Sequence, residues 1–177
     1  MIYTVECSFA DSQSEAEWND FYSREKLPAL ISVTGFHTSQ RFRAINDGCP
    51  VYLAIHTIDS LDVLTGGEYR NKGGGNFARW QMHITDWHRN LYRGVGVMPE
   101  VGPDEQLALC ADGPQALVAM SLVPVALHAV ALDRSPECRW MAVVSRELVA
   151  RGASFGDGVH LYAPITQRLT THGSGAL

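Results

Sequence analysis

The chain opens on MIYTVECSF (residues 1–9), which places Tyr3, Val5, Cys7 and Phe9 on one side and Ile2, Thr4, Glu6 and Ser8 on the other. Strict alternation over so short a run is the mark of a β-strand with one apolar face. The period then changes. Asp11, Ser12 and Ser14 offer helix caps, and Glu15 and Glu17 suit the positive end of a helix dipole. Trp18, Phe21, Tyr22 and Glu25 follow at i, i+3, i+4 and i+7, so the aromatic residues share one helical face. The helix is interrupted near Pro28 and stops at Gly35.

Two more alternating runs come next. Phe36 to Ile45 is closed by an Asn46-Asp47-Gly48 turn, and Val51 to Asp59 sets Val51, Leu53 and Ile55 against Tyr52, Ala54 and His56. A short helix is expected after Ser60, broken by Gly66-Gly67 and by Gly73-Gly74-Gly75, with a fourth strand over Trp80 to Trp87. The order β-α-β-β-α-β is the ferredoxin-like arrangement, an antiparallel sheet with helices on one face, and the fold class is therefore α+β. Gly and Pro make Tyr92 to Pro103 a linker. Beyond it, Gln106 to Cys110, Leu122 to Asp133 and His160 to Leu169 read as strands, and Glu137 to Arg151 as a helix ending at Gly152. This half reads as a degenerate second ferredoxin-like copy, in which Gln167-Arg168-Leu169 echoes Gln40-Arg41-Phe42. The expected organisation is a ferredoxin-like unit over 1–93, a linker over 94–105, a second α+β half over 106–170 and a frayed tail over 171–177.

Composition narrows the class of partner. With 177 residues, 46% of them hydrophobic and 19% charged, the chain is long and apolar enough to bury a core. A net charge of −5 argues against nucleic acid or an anionic membrane as partner. No apolar run reaches the ~20 residues of a membrane span, and the amino end has no basic segment of a signal peptide, so a cytoplasmic location is expected. Cys7, Cys49, Cys110 and Cys138 form no Cys-x-x-Cys pair, which excludes a zinc ribbon or thioredoxin-type motif and leaves buried thiols. The glycines at 73–75 lack the Gly-Lys-Ser/Thr of a phosphate loop and read instead as a flap over a cavity. No Gly-x-Ser-x-Gly elbow occurs, so acyl transfer through a covalent serine is disfavoured.

The segment Trp18-x2-Phe21-Tyr22-x3-Lys26-Leu27-Pro28, followed by Gly35-Phe36 and Gln40-Arg41-Phe42, resembles the EthD-like branch of the dimeric α+β barrel superfamily over residues 1 to about 93. Lys26 stands where that branch has the His of a His-Leu-Pro step, and Thr34 where it has the Pro of a Pro-Gly turn. A role of the family His therefore does not carry over to this chain. The resemblance implies a sheet whose open face pairs with a second sheet to enclose a ligand cavity. In most relatives another subunit supplies that sheet, which implies a homodimer; here the carboxy-terminal half is an internal alternative.

On this reading the open face carries Thr4, Glu6, Tyr52, Ala54, His56, Gln81, His83 and Thr85. In the strand order 4-1-3-2, Glu6 falls between His56 and His83, where a carboxylate would hold a tautomer and raise the basicity of a general base. The expected catalytic set is therefore His56, His83 and Glu6. Arg41 and His37 share a face of the second strand and could anchor a carboxylate or phenolate, with Tyr52 and Gln81 as further substrate contacts. Strand histidines with polar partners are also common structural elements, and Trp18 and Tyr22 suit a helix-to-sheet core. Two His and a carboxylate would suit a metal if all pointed inward, but the spacing does not demand one, and neither a metal nor an organic cofactor is expected. The reading is a cofactor-independent small enzyme of isomerase, cyclase, lyase or monooxygenase type, acting on an aromatic or polyketide-like small molecule by His acid–base catalysis. The alternative is a non-catalytic accessory protein that binds a hydrophobic metabolite or a partner.

Overall fold

A computed structural model describes residues 1–151 and 158–171. In chain order the first half comprises β1 (Ile2–Phe9), α1 (Glu15–Phe21), a π-helical turn (Tyr22–Lys26), α2 (Leu27–Ile31), β2 (Phe36–Ala44), β3 (Tyr52–Ile58), α3 (Leu61–Thr65), α4 (Gly67–Asn71), a 3-10 segment (Ala78–His83) and β4 (Ile84–Arg93). The second half comprises β5 (Glu105–Cys110), α5 (Gln115–Ala119), β6 (Val125–Leu132), β7 (Cys138–Ser145), α6 (Arg146–Ala150), β8 (Val159–Pro164) and β9 (Leu169–Thr170).

The strands of the first half lie in the order β4-β1-β3-β2, and those of the second in the equivalent order β8-β5-β7-β6. The two sheets join at both edges. Leu91 of β4 pairs with Ala131 of β6, and Phe42 of β2 pairs with Pro164 of β8, antiparallel in each case. The mixed α+β fold thus closes an antiparallel barrel within one chain, the carboxy-terminal half supplying the second sheet.

Side chains partition into three clusters. Ile2, Phe42, Leu53, Ile55, Tyr92 and Tyr162 are among those that fill the lumen. Tyr3, Val5, Cys7, Trp18, Tyr22 and Leu27 pack the outside of the first sheet against its helices. Ala108, Leu117, Val144 and Leu161 do the same for the second half. One end of the lumen is plugged by the Gly- and Pro-rich run after β4. Gln40 accepts from Val101 N at 3.2 Å and donates to Val101 O at 2.8 Å, Met98 N donates to Thr57 Oγ1 at 3.0 Å, and both Met98 and Val101 are buried.

Three expectations are corrected. The fourth strand starts at Ile84, because Trp80 turns inward while Gln81 and Met82 are both exposed, so Ala78–His83 does not alternate and coils as a 3-10 segment. The region read as a helix from Glu137 is strand β7 followed by the short α6; pairing with β5 and β6 along Cys138–Ser145 overrides its helical periodicity. The expected helix end at Gly152 and the tail beyond residue 171 lie outside the described residues. The third correction bears on the site. On β3 it is Leu53 and Ile55 that face the lumen, while Tyr52, Ala54 and His56 face the helices. Both faces of β3 are buried along its whole length, so its polarity carries no signal for the choice, and the register Tyr3↔His56 fixes it.

Candidate active site between the first sheet and its helices

The helix after β1 decides this site. Trp18 is fully buried and stacks on Phe9 at 4.8 Å, and Tyr22 follows one turn later. At Tyr22–Lys26 the helix widens into a π-turn, and it is then Lys26 and Leu27, not Glu25, that come round to the sheet. Such π-turns recur where a helix must re-aim a functional side chain. The result is a lysine amine in an aromatic enclosure. Lys26 Nζ lies 4.7 Å from the centre of the Phe77 ring and 5.7 Å from that of Tyr22, and donates to the carbonyls of Gly73, at 2.6 Å, and Asn76. No carboxylate pairs with it among the described residues. Burial pulls its pKa down to about 8.

Tyr3, Val5, Tyr22, Leu30, Tyr69, Gly75, Phe77 and Trp87 complete the wall around a cavity of about 10 Å³, room for one water at most. Tyr3 and Tyr69 share a hydrogen bond of 3.0 Å between their hydroxyls. Burial first, then Tyr69, drives the Tyr3 phenol well above its ordinary value. The Gly73–Gly75 run forms the lid. Gly73 and Gly75 have φ of +83° and +71°, and a Cβ on Gly74 would meet the Tyr69 ring at 2.4 Å. Gly74→Ala is therefore expected to unseat the lid and cost about 1–3 kcal/mol in urea unfolding; stability equal to wild type would show that Tyr69 and the lid part freely.

His56 sits beside this chamber, wholly buried, its ring stacked on Tyr3 at 5.4 Å and edge-on to Phe36 at 5.3 Å. Nδ1 is bonded to Ser39 Oγ at 2.7 Å, and Nε2 has no partner. Burial, helped by the Lys26 charge, lowers its pKa to about 3, so the imidazole is neutral. Arg41 is buried under α1, where it donates to Asn19 O (3.2 Å), Asn19 Oδ1 (2.9 Å) and Ser23 Oγ (2.8 Å) and lies 4.0 Å over the Tyr22 ring. Burial lowers its pKa to about 10. Tyr52 donates to Glu15 at 2.5 Å at the outer end of the same layer.

The residues expected to meet on one open face are therefore dispersed. His56, Arg41 and Tyr52 lie under the helices. Glu6 points into the lumen, where it meets Arg139. His83 ends the 3-10 segment beside Phe9, and because Tyr3 pairs with His56, six residues of β1 at roughly 3.3 Å each separate the two histidines. His37 is exposed at a bulge and paired with Asp59 at 2.5 Å, and Gln81 is exposed. The sequence reading missed Lys26, Tyr3 and Tyr69. The one sign of Lys26 in the sequence is its departure from the His-Leu-Pro step of the family it resembles.

Closed α+β architecture, doubled ferredoxin-like order and outward helices define a dimeric α+β barrel fold with both halves in a single chain. Solved structures share it along nearly their whole length. An anthrone oxidase-like protein is similar at 10% identity and a TM-score of 0.59, over 99% of this chain and 95% of that one. A protein from Fusobacterium nucleatum, proposed to be a monooxygenase, is similar at 6% identity and a TM-score of 0.59, over 96% and 94%. Another such protein, from Lactobacillus acidophilus NCFM, is similar at 9% identity and a TM-score of 0.53, over 96% and 95%. At these identities the likeness establishes the fold alone. No protein-family model matches the sequence, and no curated protein matches it. Among the described residues, no helix is long and apolar enough to cross a membrane.

Proposed function

We propose that this chain is a cofactor-independent enzyme acting on a planar phenolic or polyketide-like compound held between the first sheet and its helices, with Lys26 as the proton-transferring base. The observation that carries this reading is the π-turn, which buries an amine of lowered pKa among aromatic rings with only lid carbonyls for partners. An ordinary structural lysine is kept at the surface or paired. The Trp18–Phe42 pattern, with Lys26 in place of a histidine, supports an EthD-like relative whose base has changed identity.

The chemistry follows from the charges. When the lid rises, the amine loses its two carbonyl acceptors and meets the substrate instead. Taking a proton from an acidic O–H or activated CH2 leaves an ammonium beside the new enolate, a favourable pair in a low-dielectric chamber. Tyr22 and Phe77, stacked on each other at 5.8 Å with the lid down, part as it rises to admit the ring system, and Trp87 adds a third flat wall. An enolate of a fused aromatic ketone is electron-rich enough to reduce dioxygen directly. One oxygen atom becomes the product ketone and the other leaves as water with the two hydrogens of the original CH2, so no flavin or metal is required. The names of the structural neighbours are consistent with such a reaction.

Anthrone in air-saturated buffer tests this reading. Anthraquinone formation, followed by absorbance, is expected to exceed the buffer rate and to saturate with anthrone. Saturable binding seen as quenching of Trp fluorescence, with a rate equal to buffer, would replace the enzyme by a non-catalytic binding protein.

A further inference from the structure

Among the described residues, the other end of the barrel holds a second, chemically different pocket. Its volume is about 240 Å³, and Glu6, Cys49, Pro50, Leu109, Pro136 and Arg139 are among its lining residues. It lies on the lumen side of the sheet, as the pairs Leu127↔Arg139 and Leu109↔His160 place Arg139 and His160 on the same face as lumen leucines. The helix-side chamber is on the other side of β1.

Arg139 and Glu6 form a deeply buried ion pair, with Nη1 3.1 Å from Oε2. The guanidinium is thus charge-paired with Glu6, while Nδ1 of His160 is buried without a protein partner among the described residues. The hydrogen-bonding capacity of the guanidinium, the carboxylate and the imidazole faces a cavity of about 240 Å³, room for several waters or for one small ligand that takes their place. The pair is electrically balanced. A charged ligand would bring an uncompensated charge against two buried groups, at a cost that a neutral ligand avoids. Such a ligand needs an acceptor for the guanidinium and a donor for the carboxylate side by side. Pro50, Leu109 and Pro136 favour an apolar remainder.

We propose that the open mouth of the barrel is a second small-molecule site, selective for neutral planar carboxamides or lactams, whose C=O meets Arg139 and whose N–H meets Glu6. Its occupancy does not depend on the reading of Lys26.

Benzamide is the probe, with benzoate and benzamidine as its charged analogues, each titrated into the full chain and followed by amide chemical shifts. Benzamide is expected to shift resonances of Leu109, Arg139 and His160 and to bind at least about tenfold more tightly than either analogue. Two variants place it. Ala111→Trp, at an exposed position on the rim, fills the mouth without touching the ion pair. The double variant Glu6→Gln with Arg139→Met removes both charges together, which avoids stranding one of them. Each is expected to weaken benzamide at least about tenfold while leaving anthrone quenching unchanged. No benzamide binding to the wild type, equal or tighter binding of benzoate or benzamidine, or full benzamide affinity in the folded Ala111→Trp protein would each overturn the proposal.

Discussion

Acidification from pH 6.5 to pH 3 is expected to remove about 4 kcal/mol of stability through His56 alone. In the folded chain this imidazole is 0% exposed, stacked on Tyr3 and without a partner at Nε2, and burial holds its pKa at about 3 against an ordinary 6.5. The unfolded chain therefore binds one proton more than the folded chain throughout that window. Stability is full above pH 6.5, falls with pH, and stops falling through this group below about 3. His56→Phe keeps an aromatic ring between Tyr3 and Phe36 and removes the titration. Urea unfolding at pH 7, 6, 5 and 4 checks the expectation: the wild-type midpoint should fall steeply and that of His56→Phe should fall much less. Parallel slopes would mean that the imidazole is hydrated and charged in the folded state.

The same residue marks where the sequence stopped being legible. Alternation in β1 placed Tyr3 and Val5 towards the helices and Ile2 and Glu6 towards the lumen, as found, because one side of that run is plainly more apolar than the other. The strand order and the doubled halves were also readable, since turns and periods are local signals. In β3 both faces are buried, one by helices and one by the opposite sheet, and both are nearly apolar. A polarity argument then picks the only ionisable imidazole of the strand, His56, over its neighbour Thr57 and sends it the wrong way. Neighbour pairing decides such a strand, and pairing is long-range. The fourth strand failed for a related reason: Trp80 and Trp87 look like the ends of one strand, but the chain between them coils before β4 begins.

The catalytic expectation inherited this inversion. Glu6 was read correctly as a lumen residue, yet its partner is Arg139, 133 positions away by number (139 less 6), across a barrel that no local pattern announces. Lys26 was visible only as a departure from a family motif. Its burial depends on a π-turn, which has no reliable signature in composition.

Replacing Lys26 by Met is expected to lower anthrone turnover about 10²–10⁴-fold, the range that a positioned proton acceptor contributes. The wild-type kcat/KM should rise with pH and level off above about 8, where burial has placed the amine's pKa, because only the neutral amine accepts a proton. Stability responds in the same direction. Between pH 8 and 10 the folded chain has lost a proton that the unfolded chain, with an ordinary lysine near 10.5, still holds, so wild-type stability should climb by about 2–3 kcal/mol across that window. Lys26→Met should lack this climb. Lys26→Arg separates the two roles of the side chain. A guanidinium still donates to the carbonyls of Gly73 and Asn76 and so keeps the lid fastened, but it gives up no proton below pH 10 and is no base. Loss of turnover in both variants, with a closed lid in Lys26→Arg by amide exchange, assigns Lys26 to chemistry. Full turnover in Lys26→Arg would reduce it to a latch, and the aromatic chamber would then need another base, for which the neutral His56, stacked on Tyr3 with no partner at Nε2, is the candidate.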